Sequence, residues 1–340
     1  MAAQPAAWGL PGKLVLASVL ALTGCASPLP SGVTATQAHP SARAPEFSIV
    51  ALPDTQYYAA AHPEILRAQV KWIAAEQAAR RITAVVHEGD IVDDDQPEQW
   101  LRASESLRLL DGVVPCILGT GNHDYARSGK FLTRASLIDR YFSDPPAAPG
   151  LVTRGLFEPG HVENSSQVID TPGGAWLILS LEFGPRDAVL AWAGGVLRAH
   201  EDLPAILVTH AYLRADNARH DHAVETAGWN PHRYLDDRAP GAVNDGEEIW
   251  RKLVVDNPSI LFVLCGHELG DGVARLTSLR PDGTRVHQIL ANYQMGPLGG
   301  GGYLRVMRFQ PQRRQVEVRT YSPFLDRFKT DADNAFVLDY

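Results

Sequence analysis

Short apolar runs alternate with longer segments of helical periodicity through the first two thirds of the chain. Residues 47–52 form an almost wholly apolar run that ends at Pro53, which predicts a buried β-strand. Residues 62–80 place Ile65 and Val70 on one face, which predicts an amphipathic helix. This strand–helix–strand rhythm predicts parallel strands joined by right-handed crossovers.

The C-terminal third has a different pattern, in which apolar and polar positions alternate between Gly-rich or polar turns. Residues 286–293, 303–309 and 316–321 show this alternation, which predicts antiparallel strands. Further predicted strands lie at residues 82–86, 113–118, 176–181, 205–208 and 260–265, and further predicted helices at residues 97–110, 185–200 and 245–255. We therefore predict an α/β fold in which two mixed β-sheets pack face to face and are flanked by helices.

The N-terminal segment is predicted to be a targeting signal that is not part of the fold. Lys13 precedes an apolar stretch, residues 14–22, that is too short to span a membrane as a helix. The stretch ends in Leu22-Thr23-Gly24-Cys25, which resembles the lipobox of bacterial lipoproteins. Residues 1–24 are therefore expected to be a signal peptide, with a lipid on the new N-terminal cysteine.

Two alternatives for this segment are an ordinary secretory peptide cut near Ala26 and a buried helix. A lipidated Cys25 would attach the protein to a membrane, and either kind of signal peptide would place it in the bacterial periplasm or cell envelope. Residues 25–45 are rich in Pro, Ser, Ala and Thr, which predicts a flexible tether ahead of a single domain at residues 46–340.

The composition fits a folded enzyme domain. The chain is 45% hydrophobic, which suffices for a large core, and its formal net charge is -8 at pH 7. An acidic chain without a basic run has no electrostatic means of holding a nucleic acid backbone, so no nucleic acid partner is expected. Cys116 and Cys265 lie in apolar runs and are expected to be buried thiols.

Five short polar motifs each follow an apolar run. They are Asp54-Thr55-Gln56, Gly89-Asp90, Gly121-Asn122-His123-Asp124, Thr209-His210 and Gly266-His267. Each alone is explained by a turn, a helix cap or a histidine at a strand end. Together they indicate one site, because ligands of open α/β sheets gather beyond the carboxyl ends of the strands.

The residue types in these motifs suit a pair of divalent cations. Two cations about 3.5–4 Å apart can polarise a phosphoryl group and lower the pKa of a bound water. A carboxylate between them offsets their repulsion, and Asp90 is the natural candidate. Neutral imidazole and carboxamide groups then complete the coordination without adding charge.

The chain resembles the calcineurin-like metallophosphoesterases, whose ordered blocks are D-x-H, G-D-x-x-D, G-N-H-[DE], a lone His and G-H-x-H. The similarity extends over residues 47–325 and implies a four-layer sandwich of this family. It also implies a role for each matching position. Asp54 and Gln56 would bind a first metal, Asn122, His210 and His267 a second, and Asp90 would bridge the two. His123 would stabilise the transition state or protonate the leaving group, and Asp124 would orient its ring.

The sequence departs from the family pattern at the first metal. Gln56 replaces the usual histidine of the first block, and Leu269 replaces the second histidine of the last. Asp271 or water is expected to supply the missing ligand, and Asp93 is expected to shape its loop. The Asp-Thr-Gln opening resembles a bacterial branch of the superfamily, and its oxygen-rich site favours Mn or Fe over Zn, which stays possible.

The leading functional interpretation is hydrolysis of a phosphate monoester or diester. The alternative is an exported metal-binding module that has lost turnover. The weakened first site suggests this alternative, and the retained pair of His123 and Asp124 opposes it. His87 is expected to be a structural histidine at a strand end. The polar segment 214–244, which contains His220, His222 and His232, is either a flap over the metals or an exposed loop.

Overall fold

The structure is a computed structural model that describes residues 44–126, 133–143, 148–225, 228–234 and 239–340. The expected signal peptide, Cys25 and nearly all of the expected tether lie outside these residues. Within the described ranges, no helix combines the length and the apolar character needed to cross a membrane.

Strands and helices alternate in the N-terminal part, and strands dominate the C-terminal part. In the described chain the strands are β1 (Phe47–Leu52), β2 (Ile82–His87), β3 (Cys116–Leu118), β4 (Leu151–Leu156), β5 (Ser165–Thr171), β6 (Gly174–Leu181), β7 (Ala205–Thr209), β8 (Ile260–Cys265), β9 (Val273–Leu279), β10 (Arg285–Ala291), β11 (Leu304–Gln310), β12 (Gln315–Ser322), β13 (Arg327–Lys329) and β14 (Ala335–Asp339). The α-helices there are α1 (Gln56–Ala61), α2 (Pro63–Arg80), α3 (Pro97–Leu107), α4 (Ile138–Phe142), α5 (Asp187–Ala199), α6 (Gly246–Ile249) and the short α7 (Pro297–Gly300). A π-helical turn, Trp250–Val254, continues α6.

Helix α2 illustrates how closely the sequence specifies the local structure. It begins at Pro63, whose missing N–H costs nothing in a first turn, and it buries Ile65 and Val70 as predicted. It ends at Arg80, and the next residue, Arg81, caps it with a left-handed φ of 48°. The chain then enters β2 directly.

The first sheet has the order β13-β12-β11-β1-β2-β3, and β14 pairs with β12. The pairs β1–β2 and β2–β3 are parallel, whereas β1–β11 and β11–β12 are antiparallel. Leu52 is level with His87, and His87 is level with Leu118. The three parallel strands therefore end side by side at one edge of the sheet.

The second sheet has the order β4-β5-β6-β7-β8-β10-β9 and is also mixed. The pairs β6–β7, β7–β8 and β8–β10 are parallel, and β4–β5, β5–β6 and β9–β10 are antiparallel. Residues 286–293, which correspond to β10, were predicted to pair in the antiparallel direction. This prediction is confirmed for the pair with β9 and wrong for the pair with β8. The chain passes from β8 to the outer position at β9, and β10 then returns between them, parallel to β8.

The core consists of three apolar layers. One lies between the two sheets, and each of the other two lies between a sheet and the helices on its outer face. Ile49 and Val86 of the first sheet share one apolar cluster with Trp176 and Val208 of the second. The rings of Trp176 and Phe309, one from each sheet, lie 4.9 Å apart between centroids. Further clusters lie between the first sheet and α2–α3, and between the second sheet and α5–α6. The predicted sandwich of two mixed sheets is confirmed.

Strands β4, β5, β9, β13 and β14 were not predicted. Strand β5 is buried along most of its length although it contains Ser, Gln and Asp, so its apolar signal is weak. Strands β4, β9, β13 and β14 are partly exposed and lie at or near sheet edges, where burial imposes little apolar pattern.

Candidate metal centre

The five polar motifs meet at one place, because each follows the carboxyl end of a strand. The first three follow β1, β2 and β3 of the first sheet, and the last two follow β7 and β8 of the second. All six predicted ligand side chains are buried: Asp54, Gln56, Asp90, Asn122, His210 and His267. The face-to-face packing of the sheets thus brings together residues more than two hundred positions apart.

Two glycines permit the close approach of these side chains. A Cβ atom on Gly121 would lie 2.1 Å from Asp90 Oδ1 and 2.7 Å from His210 Nε2. A Cβ atom on Gly266 would lie 2.1 Å from Asp54 Oδ1. Because real carbon atoms cannot approach oxygen this closely, the glycines of these motifs are required by the site itself.

The centre of the site is a group that we call the strand-end cluster: Asp90, His210 and His267. Each residue offers a ligand atom, and these atoms lie within 4.8 Å of one another. Asp90 Oδ2 is 3.2 Å from His210 Nε2, and the two imidazole rings lie 5.0 Å apart between centroids. Asp90 Oδ1 accepts the backbone N–H of His123 at 2.9 Å.

Backbone strain accompanies this arrangement. Asp90 has a φ of 50° and His267 a φ of 72°, both in the left-handed region that residues other than glycine seldom adopt. Such conformations persist where surrounding contacts impose them, and they concentrate at functional sites. The turns aim both side chains at the junction of the two sheets.

Buried carboxylates and imidazoles shift one another's protonation. Burial raises the pKa of Asp54 to about 7, and the nearby Asp90 charge adds to the effect. Burial lowers the pKa of His210, but the carboxylates of Asp90 and Asp54 outweigh it and raise the pKa to about 10. Burial likewise opposes ionisation of Asp90, yet His210 and His123 hold its pKa well below the usual range.

This charge distribution fits divalent metal ions. A buried anionic centre is stable only when a positive charge compensates it, and metal ions displace protons from such donors. The nitrogen and oxygen donors suit Mn, Fe or Zn. His210 Nδ1 is held by the Glu88 carbonyl oxygen at 2.8 Å, so its Nε2 atom is the one that points toward Asp90.

Gln56 supplies a second observation in favour of a cation. Its Nε2 atom donates to Asp93 Oδ1 at 3.2 Å. Its Oε1 atom is buried and has no hydrogen-bond partner among the residues that the structure describes. A buried carbonyl oxygen without a partner is costly, and a metal ion would satisfy it.

His123 is held by Asp93 and not by Asp124, so the predicted contact to Asp124 was wrong. The His123 Nδ1 atom lies 2.7 Å from the Asp93 carbonyl oxygen and 3.5 Å from Asp93 Oδ1. Since a carbonyl can only accept, Nδ1 carries the proton and Nε2 is left for other partners. Asp93 therefore does more than shape its loop.

Asp124 has a structural position instead. Its Oδ1 accepts the Val92 N–H at 3.0 Å, and its Oδ2 accepts the Gly121 N–H at 2.8 Å. Both oxygens thus fix the loops after β2 and β3. Burial and the nearby Asp90 charge raise the pKa of Asp124 to about 8.

Asp271 does not join the strand-end cluster. Its side chain is exposed, and Oδ1 accepts the Val273 N–H at 3.4 Å at the start of β9. Leu269, at the position of the family's second histidine, is partly buried. The sequence-based expectation that Asp271 replaces the missing ligand thus finds no geometric support.

His87 has the structural role expected of it. Its Nδ1 accepts the Gly89 N–H at 3.2 Å, so Nε2 carries the proton and donates to Thr55 Oγ1 at 2.9 Å. Thr55 in turn donates to the Ile91 carbonyl at 3.2 Å. Burial, with His210 next, lowers the pKa of His87 to about 3, and the chain of hydrogen bonds fixes the first two motifs to each other.

Two further features belong to the site. Glu88 is buried, and burial raises its pKa well above the usual value although Arg305 opposes the shift. A charged residue directly after an apolar strand was the only signal for it. The second feature is segment 214–244: the Trp229 carbonyl lies 2.7 Å from His267 Nε2, and the Tyr234 ring lies 5.4 Å from the His267 ring.

Comparisons with known proteins identify the family of this chain. A family model described as calcineurin-like phosphoesterase matches residues 47–271, and the chain belongs to that family.

One relative and one solved structure resemble the chain over most of its length. The uncharacterized protein YvnB of Bacillus subtilis (strain 168) is 33% identical over 298 residues, which make up 84% of this chain and 21% of that protein. This chain thus spans about a fifth of that relative. A purple acid phosphatase, PPD1 from yellow lupin (Lupinus luteus) seeds, has a TM-score of 0.51 at 14% identity, covering 88% of this chain and 55% of that one, and shows the fold alone.

Proposed function

We propose that this chain hydrolyses phosphate monoesters or diesters at a centre with two divalent metal ions. The observation that carries the proposal is the position of Asp90, whose two oxygens face His210 and the backbone of His123. When bound, the cations supply Lewis acidity and a water of lowered pKa. Asp54 and Gln56 would hold one ion, and Asn122, His210 and His267 the other, with Asp90 shared.

His123 is proposed as the catalytic acid. Its side chain is 27% exposed, whereas the predicted ligands are buried, so it can reach a substrate that enters the site. The Asp93 carbonyl keeps the proton on Nδ1, so Nε2 is the atom that can give a proton to a leaving oxygen. Asp93 is a positioning residue, because it acts through the ring.

The first metal position is proposed to be the weaker one and to favour Mn or Fe. Its donors are the oxygens of Asp54, Gln56 and Asp90, without an imidazole in the sequence positions that the family uses. Hard oxygen donors suit Mn and Fe(II) better than they suit Zn. Zn remains compatible with the second position, where His210 and His267 supply two nitrogen donors beside the oxygens of Asn122 and Asp90.

Export and lipid attachment are proposed from the N-terminal motif alone. Residues 1–24 would be removed, Cys25 would carry the lipid, and the enzyme would act in the periplasm or cell envelope. Mass spectrometry of the membrane-extracted protein tests this directly. A lipid-modified Cys25 at the new N-terminus is expected, and an N-terminus near residue 27 without lipid would indicate a simple secretory signal.

A metal-binding module without turnover is the second candidate. The half-buried Leu269 and the exposed Asp271 favour it, since both weaken the first metal position. His123 opposes it, because a purely structural metal site has no use for a partly exposed histidine held at Nδ1.

Metal content measured together with activity separates the two candidates. The purified chain would be analysed for bound metals and assayed with p-nitrophenyl phosphate and bis-p-nitrophenyl phosphate in the presence of Mn. Turnover that depends on Mn supports the hydrolase, and the preferred ester distinguishes phosphatase from phosphodiesterase. Bound metal without turnover of either ester, with any metal added, would favour the binding module.

A further inference from the structure

A second group of metal-ligand side chains lies outside the strand-end cluster. We call it the loop cluster: His222, His232, Asp245 and Glu248. The two histidines belong to segment 214–244, and the two carboxylates belong to the start of α6. One ligand atom from each residue lies within 4.8 Å of all the others.

The distances within the loop cluster lie on either side of the donor spacing around a tetrahedral ion. His222 Nδ1 lies 3.0 Å from Asp245 Oδ2 and 3.9 Å from Glu248 Oε2. His232 Nε2 lies 2.6 Å from Glu248 Oε2. Four donors bonded to zinc at about 2.0–2.2 Å are about 3.3–3.6 Å apart, so small movements of these side chains would enclose the ion.

The carboxylates are already oriented by the backbone of α6. Asp245 Oδ1 accepts the Glu248 N–H at 3.1 Å, and Glu248 Oε2 accepts the Asp245 N–H at 3.0 Å. Asn230 Nδ2 donates to Asp245 Oδ2 at 3.0 Å, and Lys252 Nζ lies 3.8 Å from Glu248 Oε1. Asp245 Oδ2 and Glu248 Oε2 are therefore fixed toward the histidines, as hydrogen-bond partners fix ligands at metal sites.

We propose that the loop cluster is a third metal site, which binds a single divalent ion of the zinc class. Two neutral imidazoles and two carboxylates balance the charge of such an ion. Two nitrogen and two oxygen donors are a combination that zinc accepts, and four protein ligands define a closed site with a structural role. The inference is independent of the proposed hydrolysis, because none of these residues belongs to the catalytic group.

The ion would fasten the loop that holds His267. Asn230 accepts the His232 N–H at 3.0 Å, and the preceding residue, Trp229, presents its carbonyl to His267 Nε2 at 2.7 Å. The link from the loop cluster to the strand-end cluster is therefore short and continuous. Zinc bound by His232 would reduce the freedom of this loop and steady the ring of His267.

Equilibrium zinc titration of the metal-stripped full chain tests the site. We expect the wild-type protein to bind one zinc more than His232→Ala, and Glu248→Gln to weaken that zinc by more than about 100-fold, since even outer partners of metal ligands contribute 10–100-fold. His200→Ala, a partly buried histidine at the end of α5, is the matched control and should bind like the wild type.

An Asp90→Asn variant separates this site from the proposed function. It should lose metal from the strand-end cluster and keep the zinc of the loop cluster, and cobalt in that site should give a tetrahedral absorption spectrum. Equal zinc binding by the wild type and both loop-cluster variants would contradict the site. Glu248→Gln preserves side-chain volume, so it remains informative if His232→Ala fails to fold.

Discussion

The strand-end cluster and the loop cluster use the same side-chain types on very different supports. Asp90, His210 and His267 are buried and follow strands of two packed sheets. In the loop cluster Asp245 is buried, but the side chain of His222 is 46% exposed and comes from a long polar segment. Rigid strands fix the first cluster by the fold itself, whereas the second depends on a loop that an ion can order.

This difference suggests that the strand-end cluster has a catalytic role and the loop cluster a structural one. A reacting centre requires ligands held within a few tenths of an ångström, which a sheet edge provides. A structural ion can instead draw flexible ligands together and contribute its binding energy to local stability. A substitution in one cluster should therefore leave the metal binding of the other intact.

Replacement of Asp90 should have the largest effect. Asp90→Asn removes the charge that both metal positions share and leaves His210 without its closest carboxylate. We expect metal affinity at the strand-end cluster to fall by more than about 100-fold and phosphate ester hydrolysis to be lost. Asp245→Asn is the reciprocal variant and should release only the loop-cluster ion, as metal analysis of both proteins will show.

Replacement of His123 should separate chemistry from metal binding. His123→Ala is expected to lower kcat by roughly 10²–10⁴-fold, because it removes a proton donor without touching a ligand side chain. Elemental analysis should find unchanged metal content. Full activity in this variant would contradict the role given to His123, whatever its metal content.

Asp93 and Asp124 should give different kinds of defect. Asp93→Asn keeps an oxygen for Gln56 but removes the charge beside the His123 ring, so kcat should fall by about 10-fold with little change in KM.

Asp124→Asn leaves one of two buried N–H groups unpaired and should lower the free energy of unfolding by about 1–3 kcal/mol. Urea unfolding and steady-state kinetics on both variants distinguish positioning of the ring from support of the loops.

Replacement of Asp271 should have the smallest effect. The side chain is exposed and accepts a hydrogen bond from its own turn. Asp271→Ala is therefore expected to leave kcat/KM within about two-fold of the wild type, because exposed substitutions away from a site change little. Loss of one metal ion from this variant would show instead that the turn moves to supply a ligand.

The sequence predicted the buried strands and the polar motifs that follow their carboxyl ends. Apolar runs gave the positions of β1, β2, β7 and β8, and the polar motifs behind them meet as expected. The contact of the His123 ring with Asp93, and not with Asp124, was not predictable. Both residues lie within loops whose path decides which of them reaches the ring. Strand β5 was missed because it is buried with polar side chains.

The loop cluster shows a further limit of sequence analysis. His222, His232, Asp245 and Glu248 have no helical or strand periodicity in common, and only the return of the loop onto α6 brings them together. The polar composition of segment 214–244 fits either a flap over the metals or an exposed loop. Its described part contacts His267 through Trp229 and Tyr234.

Anomalous diffraction from crystals grown with Mn tests the central claim most directly. The account predicts two Mn peaks about 3.5–4 Å apart on either side of the Asp90 carboxylate, one beside Asp54 and Gln56 and one beside His210 and His267. A single peak beside the histidines would mean that the first position stays empty without substrate. No peak at Asp90 in an active protein would contradict the metal centre described above.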